Sequence, residues 1–223
     1  MRYEPLPIQL NHSQIHWGLR YLLFQLVFLS SLLNLLLFYI FPNYNSAHLN
    51  FAYFLVNFGA VCWIFRDYLK ASALDLPNRW QRTVIAACLG FVLYYLCTLA
   101  LSALTYRLFP GYVNTNDAVI SMAGQQNFYL MALGTIFLAP VAEELFYRAL
   151  VFGTLHRSSR FVAYLVSTLV FAAIHVHGFD PVSFIQYLPA GLILAWSYDF
   201  SGSIAAPLAI HIAVNTIGTL SMR

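Results

Sequence analysis

Charge is what this 223-residue chain has least of, with 8 acidic and 11 basic side chains making up 9% of its residues. So little charge, alongside 61% apolar residues, excludes an ordinary water-soluble domain. Cysteine is nearly absent too. Cys62, Cys88 and Cys97 lie in or beside apolar runs without CxxC spacing, which excludes a disulfide framework or thiolate cluster and leaves them as packing residues. Basic stripes interleaved with aromatics are missing as well, so no nucleic-acid partner is expected.

What remains is apolar helix. Seven stretches can cross or nearly cross a hydrocarbon core, which takes about 20 helical residues: 18–41, 49–65, 84–106, 127–155, 161–176, 183–198 and 203–220. The first is too long for the apolar core of a signal peptide and lacks a small-residue cleavage site, so it reads as a retained span. Pro140 is expected to kink or split the fourth, which would make eight. The expected fold is therefore an all-α, polytopic transmembrane bundle of about seven to eight helices. It divides into an interfacial segment at 1–17, motif-free helices at 18–126 and a functional core at 127–223.

Loop charge sets an orientation. With a cytoplasmic N-terminus, the inner segments hold Arg2, Arg20, Arg66, Lys70, Arg79, Arg82, Arg157 and Arg160, and the outer ones hold Arg107 and Arg223. That asymmetry favours an inward N-terminus. The stretch "RDYLKASALDLPNRWQRT" at 66–83 reads as a basic, amphipathic inner loop suited to the headgroup layer of the bilayer.

An ionisable side chain in mid-membrane costs about 2.5–3.5 kcal/mol on insertion scales, so the exceptions point to chemistry. Glu143, Glu144 and Arg148 lie in the fourth span, His175 late in the fifth, and His211 with Asn215 in the seventh. At about 1.5 Å per residue, Glu143 and His175 each sit about 20 Å from the inner ends of their helices, and Asn215 about 18 Å. Glu144 and Arg148 are spaced i,i+4 for an ion pair, whereas Glu143 points elsewhere and lacks that partner. Phe171 with His175, and His211 with Asn215, also share faces. A glutamate that takes a proton from water, a histidine that steers the water and an amide or imidazole that receives the oxyanion would make a hydrolase without a nucleophilic side chain.

The motifs "EELFYR", "FAAIH" and "HIAVN" follow E-E-x-x-x-R, F-x-x-x-H and H-x-x-x-N in order on successive apolar helices. Over about Phe128 to Leu220 the sequence resembles the CPBP family (CAAX proteases and bacteriocin-processing enzymes, also called Abi), the glutamic-type intramembrane proteases. The resemblance implies Glu143 as general base, His175 as its helper, His211 and Asn215 as oxyanion donors, Glu144 with Arg148 in support and Phe171 as a packing wall. It implies a membrane-associated protein or peptide as substrate and a cavity open toward the cytoplasm, in agreement with the loop charges; the pairing of Glu144 with Arg148 and the poor zinc affinity of an asparagine such as Asn215 favour a site without a cofactor. Prenylated CAAX proteins are the substrates of eukaryotic members; bacterial ones are associated with peptide processing, bacteriocin maturation or self-immunity. The compact chain reads as a multi-pass protein of a prokaryotic plasma membrane.

Three alternatives stay open. Two histidines and two carboxylates are adequate zinc ligands. A non-catalytic immunity or scaffold protein could keep the same bundle, and a small transporter could use the carboxylates as a proton relay, although paired repeats are missing. HExxH and G-x-S-G signatures are absent, and so is the G-x-G-D partner that Tyr198–Asp199 would need in an aspartyl intramembrane protease. Asp199 therefore reads as a loop aspartate, His177 as part of the turn into the outer loop, and His156 with Arg157 and Arg160 as an inner flank.

Overall fold

The structure is a computed structural model that describes residues 6–26 and 46–222, and helix is the only regular structure among them. In chain order the helices are α1 (His12–Phe24), α2 (Ser46–Ile64), α3 (Arg66–Leu108), α4 (Thr115–His156), α5 (Arg160–Ile174), α6 (Pro181–Ser201) and α7 (Ala205–Ser221). The fold is the expected all-α membrane helical bundle. Beyond residue 26 the first expected span lies outside the described residues, as do Arg2 and Arg223.

Among the described residues α2, α3 and α4 are long and apolar enough to cross a membrane. The apolar α5 and α7 have only 15 and 17 residues, which at 1.5 Å per residue reach about 22–26 Å. A helix that stops short leaves carbonyls at membrane depth, which is tolerable where they are buried in protein or line a cavity. Both lean on a neighbour. A Cβ added at Gly191 of α6 would come within 2.9 Å of the Thr168 carbonyl of α5, so the two backbones approach as only a small residue allows.

Two expectations change. The stretch 66–83 is helical throughout and runs without interruption into the next span as the 43-residue α3. Its Pro77 is bracketed by an i,i+4 ion pair between Asp75 and Arg79, and an amphipathic surface helix carries the same polar pattern as a loop. Pro140 neither breaks nor splits α4, because flanking residues keep helical dihedrals and a π-helical turn at Gly134–Leu138 comes just before it. The non-helical residue of α4 is Asn127, at φ −159° and ψ 97°, whose side chain caps the resumed helix by accepting from Leu130 N–H.

The core forms around a second π-helical stretch of α4, Leu145–Phe152, where Leu145, Phe146, Tyr147, Ala149, Leu150 and Phe152 are buried. Tyr21 of α1 stacks on Phe146, and Tyr198 of α6 meets Phe152 edge-on.

The two ends of the bundle differ in chemistry. At one, Arg157 donates to the Leu10 carbonyl, Gly202 takes a left-handed φ of 64° beside Pro7 and Arg79, and Asp199 binds Arg160. We call this the basic end. At the other, Tyr112 donates to Asp180 at 2.6 Å, Asn114 to Gln186 at 2.7 Å and the His177 amide to Thr115 Oγ1 at 3.3 Å. We call this the amide end. Burial opposes ionisation of Asp180, but hydrogen bonds from Tyr112, Ser183 and Thr115 prevail and hold the carboxyl down at about 2. Its clamp is thus present above the ordinary carboxyl range and lost only as pH falls through about 2.

Candidate active site

Three helices meet behind the amide end. The turn of α4 carrying Glu143 and Glu144 is a short α-helical piece, Ala139–Glu144, between the two π-helical stretches. Such wide turns shift a helix's hydrogen-bond register and re-aim its side chains. Glu144 turns inward and is fully buried, whereas Glu143 keeps about 23% of its side chain accessible.

Glu144 has a partner at each carboxylate oxygen. Its Oε1 receives His211 Nδ1 at 2.7 Å, and its Oε2 lies 3.0 Å from Arg148 Nε in a fully buried ion pair. The approach to Nε is close but not aligned as a hydrogen bond, and among the described residues the guanidinium nitrogens have no hydrogen-bond partner. Instead the Arg148 head group lies 4.4 Å from the Phe171 ring centroid. Phe171 is therefore a wall with an electrostatic part. It also meets His211 edge-on at 5.8 Å.

His175 is shaped by the end of α5. In the tightened last turn its backbone N–H turns to Ala172 and Ala173, so the Phe171 carbonyl accepts from the His175 ring at 2.8 Å instead. A carbonyl can only accept, so Nδ1 carries the hydrogen, and the neutral ring presents a lone pair at Nε2. That Nε2 faces Glu143 Oε2 at 3.6 Å, and His211 Nε2 faces the same oxygen at 3.8 Å. Both distances are too long for direct hydrogen bonds. Among the described residues Glu143 Oε2 has no hydrogen-bond partner.

Asn215 lines the same cavity but has a structural tie. Its amide donates to the Thr135 carbonyl at 2.8 Å. In the π register Ala139 N–H reaches Gly134 O, so the next bond would run from residue 140 to Thr135 O, and Pro140 has no N–H to give. Asn215 supplies that missing donor and keeps one amide hydrogen in reserve.

Sequence reasoning missed Tyr187. Its ring stacks on His175 at 4.5 Å and 23°, and its hydroxyl accepts from Asn116 of α4 at 2.9 Å. The His175 ring is thus fixed by a carbonyl at its edge and an aromatic on its face. One tyrosine among many apolar neighbours gives no periodic signal, so nothing in the sequence singles it out. Asp199 was misread: it lies in the last turn of α6, mostly buried, and binds His156 at 3.0 Å, Arg160 at 2.6 Å and Tyr164 at 2.8 Å.

Glu143, His175, His211 and Asn215 border a cavity of about 1280 Å3, which extends to Asn114, Asn116, His177 and Gly178 at the amide end. The loop charges assign the cytoplasm to the basic end, while the resemblance implies a cavity open to the cytoplasm. With the mouth at the opposite end from the arginines, these two expectations do not hold together. Among the described residues no group of three or more His, Cys, Asp or Glu side chains is arranged to hold a metal ion. Glu144 is committed to Arg148 and His211.

Comparison with family models matches the part of the chain that carries these residues. Residues 125–217 match the family model "Type II CAAX prenyl endopeptidase Rce1-like". The UPF0177 protein YxdF of Lactococcus lactis is 31% identical over 86 residues, 39% of this chain and 46% of that protein. The UPF0177 protein YbdJ of the same organism is 32% identical over 92 residues, 41% of this chain and 39% of its own. The membrane-embedded CAAX protease MroQ of Staphylococcus aureus is 27% identical over 135 residues, 58% of this chain and 54% of MroQ. The chain thus spans about half or less of the length of the curated relatives it matches. No solved structure matches it.

Proposed function

We propose, for a chain whose residues 125–217 belong to the CPBP family of CAAX proteases and bacteriocin-processing enzymes, that it is an intramembrane endopeptidase acting on a membrane-associated protein or peptide. The observation that carries the reading is the gap between Glu143 Oε2 and His175 Nε2, two acceptors facing each other at 3.6 Å. A water molecule seated on the cavity side of both atoms has two hydrogens to give, one to each lone pair.

The chemistry follows from the partners. A water seated there directs one O–H at Glu143 and the other at His175, which aims its own lone pair into the cavity. Glu143 takes the proton as the oxygen bonds to the substrate's carbonyl carbon, and the carbonyl π electrons move to its oxygen. His211 holds Nδ1–H against Glu144, so its doubly protonated form has an Nε2–H to offer the oxyanion. Asn215 adds its reserve amide hydrogen. Collapse of the tetrahedral adduct breaks the C–N bond, and Glu143 returns its proton to the leaving nitrogen. No cofactor takes part in this sequence.

Glu144 and Arg148 act at one remove. They fix the His211 ring and offset each other's charge where water cannot. The test is a comparison of peptide termini in host membranes that carry the wild type or Glu143→Gln. New termini should appear only with the wild type, and identical sets would overturn the proposal. Metal analysis of the purified protein, with activity measured before and after chelation, tests the zinc alternative.

A further inference from the structure

The two ends of the bundle carry different information about which side of the membrane the cavity serves. At the basic end, α3 opens with Arg66, Lys70, Arg79 and Arg82, and the α4–α5 connection contributes Arg157 and Arg160. Arg20 lies in α1, which starts from that same end, where Arg157 grips the Leu10 carbonyl. At the amide end Arg107 is the one described arginine or lysine, and Asp117 and Asp180 lie at the starts of helices there. Lysine and arginine near helix ends are retained in the cytoplasm, whereas acidic residues contribute little to orientation.

The cavity belongs to the amide end. Its rim is Asn114, Asn116 and Asp117 at the start of α4, His177 and Gly178 after α5, and Met222 after α7. None of the basic-end arginines or lysines borders it. Its floor is Glu143, His175 and His211. Glu143 stands thirteen residues before His156, about 20 Å along the helix from the basic end. In a core about 30 Å thick that puts the carboxylate in the half nearer the amide end.

We infer that the cavity opens on the non-cytoplasmic face, so that the protein takes its substrate from the outer side of the membrane: a chain already translocated, or the outer-side segment of a membrane-anchored peptide. The inference rests on the protease reading for the word substrate and on the charge asymmetry for the side. The lining suits such a ligand. Amide and aromatic side chains (Asn114, Asn116, Gln186, Tyr94, Tyr187) can bind a neutral extended peptide, and the carboxylates Asp117 and Glu143 disfavour a free C-terminal carboxylate near the scissile bond.

The orientation can be tested without activity. In a full-length chain with Cys62, Cys88 and Cys97 replaced by alanine, a single cysteine is placed at Phe179, 98% exposed beside the rim, or at Ser158, exposed in the basic-end turn. A membrane-impermeant maleimide is applied to intact cells and to permeabilised ones. Phe179→Cys should react in both, and Ser158→Cys only after permeabilisation. The reverse pattern, or equal labelling of both in intact cells, overturns the inference and leaves the protease reading standing. Conversely, unchanged termini with Glu143→Gln would remove the protease and leave the orientation. Should new termini appear, they should map to exported chains or outer segments; termini confined to cytoplasmic segments overturn the substrate assignment.

Discussion

Two clusters in this molecule are assembled from nearly the same parts. At the basic end Asp199 is held by His156, Arg160 and Tyr164, and in the bundle centre Glu144 is held by His211 and Arg148. Each joins a carboxylate, an imidazole and a guanidinium, from three helices around Asp199 and from two around Glu144. The first is closed, since both Asp199 oxygens have donors and nothing ionisable is left over. The second is open, because Glu143 sits next to Glu144 in sequence and faces two imidazole nitrogens without a bond to either. Charge density does not separate a fastener from a site; unspent hydrogen-bonding capacity beside a cavity does.

The sharpest way to break the comparison is to exchange one acceptor in each cluster. Glu143→Gln should lower turnover by about 10²–10⁴-fold, the usual worth of a general base, while the melting temperature stays near that of the wild type. Thermal melting in detergent and cleavage of a processed peptide measure the two. Next comes Arg148→Met, which leaves Glu144 buried without its guanidinium partner. The expected loss is about 3–5 kcal/mol of stability, read as a lower melting temperature, with activity falling in step with the folded fraction. Asp199→Asn should cost about 1.5–3 kcal/mol, the range for hydrogen bonds to a charged group, with turnover per folded molecule unchanged. A drop in that specific turnover would show that the closed cluster is also catalytic.

Tyr187→Leu is the smallest and most diagnostic change. Loss of a ring stacked on His175 should reduce kcat by about 2–12-fold, the equivalent of about 0.5–1.5 kcal/mol for an aromatic pair, with little change in KM. Tyr187→Phe should recover most of it, because the stack survives and only the bond from Asn116 is lost. Equal losses in both variants would mean that the hydroxyl matters more than the ring.

The central cluster was legible in the sequence for a physical reason. Glu143, Glu144, Arg148, His175 and His211 are ionisable residues in apolar helices, where each needs a partner, and i,i+4 spacing already separates Glu144 from Glu143. The Asp199 cluster was not legible, because its members come from a helix end, the following helix and a remote third, and each looks ordinary beside polar turns. Pro140 misled in a similar way. Proline marks a lost N–H, but the sequence does not say whether the helix bends or whether another group takes the orphaned carbonyl. The spans of α5 and α7 were found at close to their observed lengths, 161–176 and 203–220 against Arg160–Ile174 and Ala205–Ser221, because each apolar run gives way to polar residues where the helix ends.

That orphaned carbonyl links two distant positions. Thr135 O is bonded by Asn215 because Pro140 cannot bond it, so α4 and α7 share one rung of backbone ladder. The identity of residue 140 therefore governs how free the amide at residue 215 is. A Pro140→Ala chain would regain its own N–H, and the Asn215 side chain would be released to swing in the cavity. An amide on the cavity wall of this protein is held still by a hydrogen that a proline lacks.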